Sequence, residues 1–115
     1  MARYTHCFTA ALQPEHLHQT IVALLESCGL QITYKTDDYV MAQEIKGDTA
    51  FSRMVTVEIL IHQSEIVGER VKLTCVTKNE ELPLKKKNHC AIVAERVRET
   101  FMGSEHWQLL ETTVE

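Results

Sequence analysis

The chain is sparing with the residues that punctuate structure. Its 115 residues include four glycines, two prolines and one tryptophan, and aromatic side chains make up only 6%. Neither Gly-x-Gly-x-x-Gly nor Gly-x-x-x-x-Gly-Lys occurs, which removes the usual backbone cradles for nucleotide phosphates. The longest apolar runs, residues 21–25 and 91–94, fall far short of the ~20 residues that span a bilayer, so no membrane association is expected. The opening Met1-Ala2-Arg3-Tyr4-Thr5-His6 carries no apolar stretch of signal-peptide length. A cytoplasmic location is the resulting expectation.

Cationic excess is also missing. Twelve Lys and Arg stand against sixteen Asp and Glu, a formal net charge of -4. Affinity for phosphate backbones rests mainly on Lys and Arg displacing counterions, so this balance disfavours a dedicated nucleic-acid binder. The four cysteines, at 7, 28, 75 and 90, form no Cys-x-x-Cys pair and no zinc-like spacing. An even count permits two disulfides, yet each cysteine falls where a buried apolar residue also fits, and reduced thiols are expected.

What is present is an ordinary globular balance, 44% hydrophobic and 24% charged. This composition excludes intrinsic disorder, collagen-like repeats, coiled coil and disulfide-rich toxin. The length favours one domain, and a chain of this size hides roughly two-thirds of the surface it exposes when unfolded. It can hold a core without metal or disulfide staples.

Hydrophobic periodicity gives the layout. Residues 3–10 alternate Tyr4, His6, Phe8 and Ala10 against Thr5, Cys7 and Thr9, the pattern of a half-buried strand. Gln13-Pro14-Glu15 opens a helix, because proline suits the first helical position and glutamate suits its positive end. Leu17, Ile21, Leu24, Leu25 and Cys28 form its apolar stripe, and Gly29 supplies a left-handed stop. Alternation resumes with Leu30, Ile32 and Tyr34 opposed to Gln31, Thr33 and Lys35. Thr36-Asp37-Asp38 then provides turn chemistry before a strand at 39–45. After a turn at Lys46-Gly47-Asp48, a fourth strand places Val55, Val57, Ile59 and Ile61 on one face with Thr56, Glu58 and His62 opposite. A fifth directs Val71, Leu73 and Cys75 inward and Lys72, Thr74 and Lys78 outward. Beyond Pro83 a lysine-rich linker reaches Asn88, a good N-cap, and Cys90, Val93, Ala94, Val97 and Phe101 describe a second helix ending or bending near Gly103.

The expectation is therefore an α+β domain at residues 1–103 with a tail at 104–115. An antiparallel sheet of about five strands, order β-α-β-β-β-β-α, should carry both helices on the face bearing Tyr4, Ile32, Val57 and Leu73. By element order alone, over residues 3–102, this resembles the TATA-binding-protein-like or helix-grip architecture. Fold analogy does not transfer function.

Catalytic constellations are weak. His16 and His18 stand two apart on a helix and diverge, while His62, His89 and His106 lack a spaced ligand partner, so neither metal nor cofactor is expected. Cys90, beside His89 and after Lys85, Lys86 and Lys87, is the best nucleophile candidate, yet it begins the apolar stripe and packing explains it better. Asp37-Asp38 and Glu80-Glu81 read as solvated pairs in a turn and a loop. An enzyme is not indicated.

Recognition surfaces remain. Thr5, Thr9, Thr33, Thr56 and Thr74, with Lys35, Glu58, His62 and Lys72, are expected on the polar sheet face, although threonine favours exposed strands for propensity alone. Lys85, Lys86 and Lys87 oppose the macrodipole of the helix they precede, which suits an acidic or anionic partner or a solvated linker. Trp107 with Leu109 and Leu110 could dock onto a partner, although a tail folded back on its own domain is commoner. The favoured function is a small protein-interaction or assembly module without catalysis, self-associating as a homodimer through a sheet face or edge. The alternative is a binder of a small apolar ligand between sheet and helices, which needs a pocket of at least ~300 Å³.

Overall fold

A computed structural model describes residues 1–45, 53–82 and 88–114. Among them run β1 (Ala2–Ala11), α1 (Leu17–Ser27), β2 (Leu30–Lys35), β3 (Tyr39–Glu44), β4 (Thr56–Ile61), β5 (Arg70–Asn79), α2 (His89–Met102) and β6 (Gln108–Val114). Short 3₁₀ turns at Pro14–His16 and Gln63–Glu65 precede α1 and follow β4. The expected α+β architecture is observed, with two helices on an antiparallel sheet. The strand order is β2-β3-β4-β5-β1-β6, so β1 lies between β5 and the last strand. The segment expected as a tail contributes this sixth strand.

Alternation decides which side of each strand is buried. Phe8 stands opposite Leu73 and Ala10 opposite Val71. On the other side of β5, Ile59 faces Cys75 and Ile61 faces Leu73. These residues are buried and form one core with Leu17, Ile21 and Leu25 of α1 and Cys90, Val93, Val97 and Phe101 of α2. Each fully buried Leu, Ile, Val or Phe contributes roughly 1.5–3 kcal/mol relative to exposure, so this layer holds both helices on one face.

Local signals fix the helix ends. Gly29, at φ 80°, turns the chain from α1 into β2 in a conformation that a side chain would strain. Asn88 caps α2 by accepting from the Ala91 N–H at 2.7 Å. His18 donates through Nε2 to the main-chain oxygens of Thr36 and Asp37 at 3.1 and 2.9 Å, and thereby ties α1 to the β2–β3 turn.

Two sequence expectations need correction. A bulge between Ile32 and Tyr34 sets Tyr34 opposite Met41 and Lys35 opposite Val40. One extra residue exchanges the faces of all that follow. Tyr34, expected inward, is consequently 55% exposed, and Lys35 leaves the face on which it was expected. The second concerns Trp107, which is only 7% exposed. It packs edge-on against Phe101 at 5.5 Å and donates from Nε1 to the Phe101 carbonyl at 2.8 Å, so it is core rather than docking surface.

Candidate interaction surface

Both helices lie on one side, and the opposite side of the sheet carries the complementary set of side chains. Thr5, Cys7 and Thr9 of β1 stand opposite Val76, Thr74 and Lys72 of β5. Next come Thr56, Glu58 and Leu60 of β4, then Gln43, Met41 and Tyr39 of β3. Expected residues Thr5, Thr9, Thr56 and Thr74 do share this face. Thr33 falls at the bulge, where its hydroxyl donates to the Met41 carbonyl at 3.3 Å. Lys85, Lys86 and Lys87 lie outside the described residues.

The polar groups on this face are largely matched from within. Glu58 accepts from the Tyr39 hydroxyl and pairs with Lys78. Burial opposes its ionisation, but these two partners outweigh it and hold the carboxyl below its usual range. Burial, followed by the hydrogen bond to Glu58, pushes the Tyr39 phenol up to about 12. A second chain crosses β5: His62 Nε2 meets the Thr74 hydroxyl at 2.7 Å and Nδ1 faces Glu65 at 3.4 Å, while Lys72 reaches Glu65 at 3.8 Å. On the same face Val76 and Thr9 are buried.

Sequence reading overlooked an apolar corner here. Tyr34 and Tyr39 meet edge-on at 6.0 Å, close to exposed Leu60 on the neighbouring strand. Leu60 carried the signal, since it falls between Glu58 and His62 at a polar-face position.

The start of α2 gathers the other titratable groups. The Glu81 carboxylate accepts from the Asn79 amide at 2.6 Å and from the Cys90 N–H at 3.0 Å, and it pairs with Arg53 at 3.5 Å. Burial works against its charge, yet the Asn79 and main-chain N–H donors together lower its pKa. Glu81 is therefore a helix cap rather than the solvated loop residue its sequence suggests. Glu44 receives the His89 Nε2 at 2.8 Å and the Val55 N–H at 2.8 Å. Between these carboxylates Cys90 is fully buried, and its thiol is pushed up to about 12, first by burial and then by Glu81 and Glu44. A thiolate nucleophile is disfavoured at that position. Among the described residues, no group of three His, Cys, Asp or Glu side chains is placed to hold a metal, and no helix is long and apolar enough to cross a membrane.

The outer edge of the sheet presents the strongest unmet demand. Leu12 N donates to Glu69 O at 2.8 Å and continues the β1–β5 register, so this is a hydrogen-bonded pair. Bonded and non-bonded pairs alternate along an antiparallel ladder. Even-numbered residues of β1 therefore turn their main-chain groups toward β5, and Cys7 and Thr9 turn theirs toward Thr113 and Glu111 of β6. It follows that Thr112 and Val114 direct their N–H and C=O groups away from the sheet. The same strand exposes Leu110 (47%) and Val114 (71%).

Two surface depressions border charged and polar side chains. One of about 280 Å³ lies beside this edge, bounded by Cys7, Thr9, Glu65, Arg70, Lys72 and Glu111 among others. Another borders the His18 clasp at Asp37, Asp38 and Gln63. Comparison with known proteins yields no matching family model and no matching curated protein.

Proposed function

We propose that this protein is a small, non-catalytic interaction module that assembles with itself through the open edge of its sheet. The observation that carries the reading is the free edge of β6. Main-chain groups of Thr112 and Val114 point outward there, flanked by exposed Leu110 and Val114. Such an edge is a template for another strand. Proteins that remain single commonly blunt it with Pro, Lys or a bulge, and from Glu111 to Val114 this strand has none of these. The open face is a weaker recruiter, because Glu58, Lys78, Glu65 and Lys72 already pair with one another.

The non-catalytic part of the reading draws on Cys90, the best nucleophile candidate in the sequence, whose burial favours the inert thiol. A cytoplasmic setting suits the buried thiols of Cys28, Cys75 and Cys90.

Sedimentation equilibrium of the full chain over a wide concentration range tests the proposal. A mass rising toward twice that of the monomer is expected. A monomer mass at every concentration overturns it.

A further inference from the structure

Resting on that reading, we infer that two copies join β6 to β6 in antiparallel register about a two-fold axis at Thr112, so that one sheet runs through both. The axis is normal to the sheet, and both pairs of helices lie on the same side.

The register follows from three constraints. First, only outward-facing main-chain groups can bond to an incoming strand. At the axis, Thr112 meets Thr112 of the second copy, and each N–H donates to the other's carbonyl in a reciprocal bonded pair. Second, exposed apolar side chains gain most by meeting each other. This register brings Leu110, the bulge residue of each copy, beside Val114 of the other, matching the two exposed hydrophobic residues of the strand. Third, the single charge of the strand must avoid itself. Glu111 stands opposite Thr113 of the second copy, next to a β1 threonine that neighbours Lys72.

Alternative centres fail one of these conditions. An axis at Glu111 opposes two carboxylates in a non-bonded pair, where Cα atoms approach to about 4.5 Å and like charges repel. An axis at Thr113 sets Val114 against Thr112 and separates it from Leu110. With the axis at Leu110, Val114 lies beyond the start of the facing strand at Gln108.

Two variants of the full chain test this register. Thr112→Pro removes an N–H that serves only the second copy, so the β1–β6 ladder should survive. The expected result is an unchanged far-UV circular dichroism spectrum and loss of the dimer at concentrations where the wild type is dimeric. Thr112→Cys, made in a Cys7→Ser background and oxidised, should give a disulfide-linked dimer. A bonded pair places its Cα atoms about 5.5 Å apart, within the range a disulfide bridges. Glu111→Cys in the same background should cross-link poorly. A wild type that is monomeric throughout overturns the assembly reading itself. If the wild type is dimeric, a Thr112→Pro protein that stays dimeric, or cross-linking faster through Cys at 111 than at 112, overturns this register and leaves assembly standing.

Discussion

The two outer strands of the sheet, β2 and β6, meet the same problem with different means. Thr36 N donates to Tyr39 O at 2.7 Å and makes the mouth of the β2–β3 hairpin a bonded pair. Alternation from there turns Tyr34 toward β3 and Lys35 outward, and the bulge breaks the spacing between Lys35 and the outward groups at Ile32 and Leu30. A regular strand cannot follow that edge, and a lysine stands on it. β6 also has a bulge, but it lies at the level of Thr9 and Ala10, before a regular stretch ending at Val114. The difference teaches that an edge is protected by where the irregularity falls. A bulge in mid-strand closes β2 to pairing, whereas one near the start leaves the outer half of β6 open.

The attachment of β6 to the core gives the largest expected effect. Trp107→Ala removes the ring wedged against Phe101 and should cost roughly 3–5 kcal/mol, read as a lowered urea midpoint. A near-neutral result would mean that β6 is held by its ladder alone. Thr113→Pro comes next. Its N–H faces β1, so the loss should be roughly 1–3 kcal/mol in the monomer, against little change for Thr112→Pro. Equal effects at 112 and 113 would break the assignment of inward and outward groups.

Two titrations then separate the sides of the sheet. His6 lies on β1 opposite Val114, and burial first, then Arg98, lowers its pKa below 6.5. A histidine with a lowered folded pKa contributes stability that is complete above the unfolded value. That stability is lost as pH falls from about 6.5 toward the folded value. Urea midpoints measured from pH 7.5 to pH 5 should decline, and His6→Gln should flatten the decline. On the β2 side, Tyr39 should ionise near 12 in an ultraviolet titration, and Glu58→Gln should bring it down. An ordinary tyrosine midpoint would show that the contact with Glu58 is not maintained in solution.

Much of the fold was legible. Period-two patterns at residues 3–10, 55–61 and 71–75 and the stripes of both helices are read correctly because burial imposes one periodicity per element. The fate of Tyr34 was not legible. Ile32 and Tyr34 share parity and both suit a buried position, and nothing nearby marks the extra residue between them. Residues 108–114 were missed as a strand because adjacent Leu109 and Leu110 break the alternation at its bulge. On the open face of the sheet, Thr5, Thr56 and Thr74 were placed correctly by period. The open edge escaped notice, since a strand becomes an edge only through what fails to pair beside it. Glu81 escaped too, because the helix it caps begins eight residues later in the chain.

The sequence by itself determined which segments are extended or helical and which side of most of them is buried, because local steric preference and hydrophobic period act within a few residues. Tertiary structure alone decided that the first strand lies inside the sheet and the last at its margin. It also decided that Trp107 closes the core and that Thr112 turns its main chain outward. The strand placements depend on pairing between residues about a hundred positions apart, and no local pattern encodes the partner of a hydrogen bond.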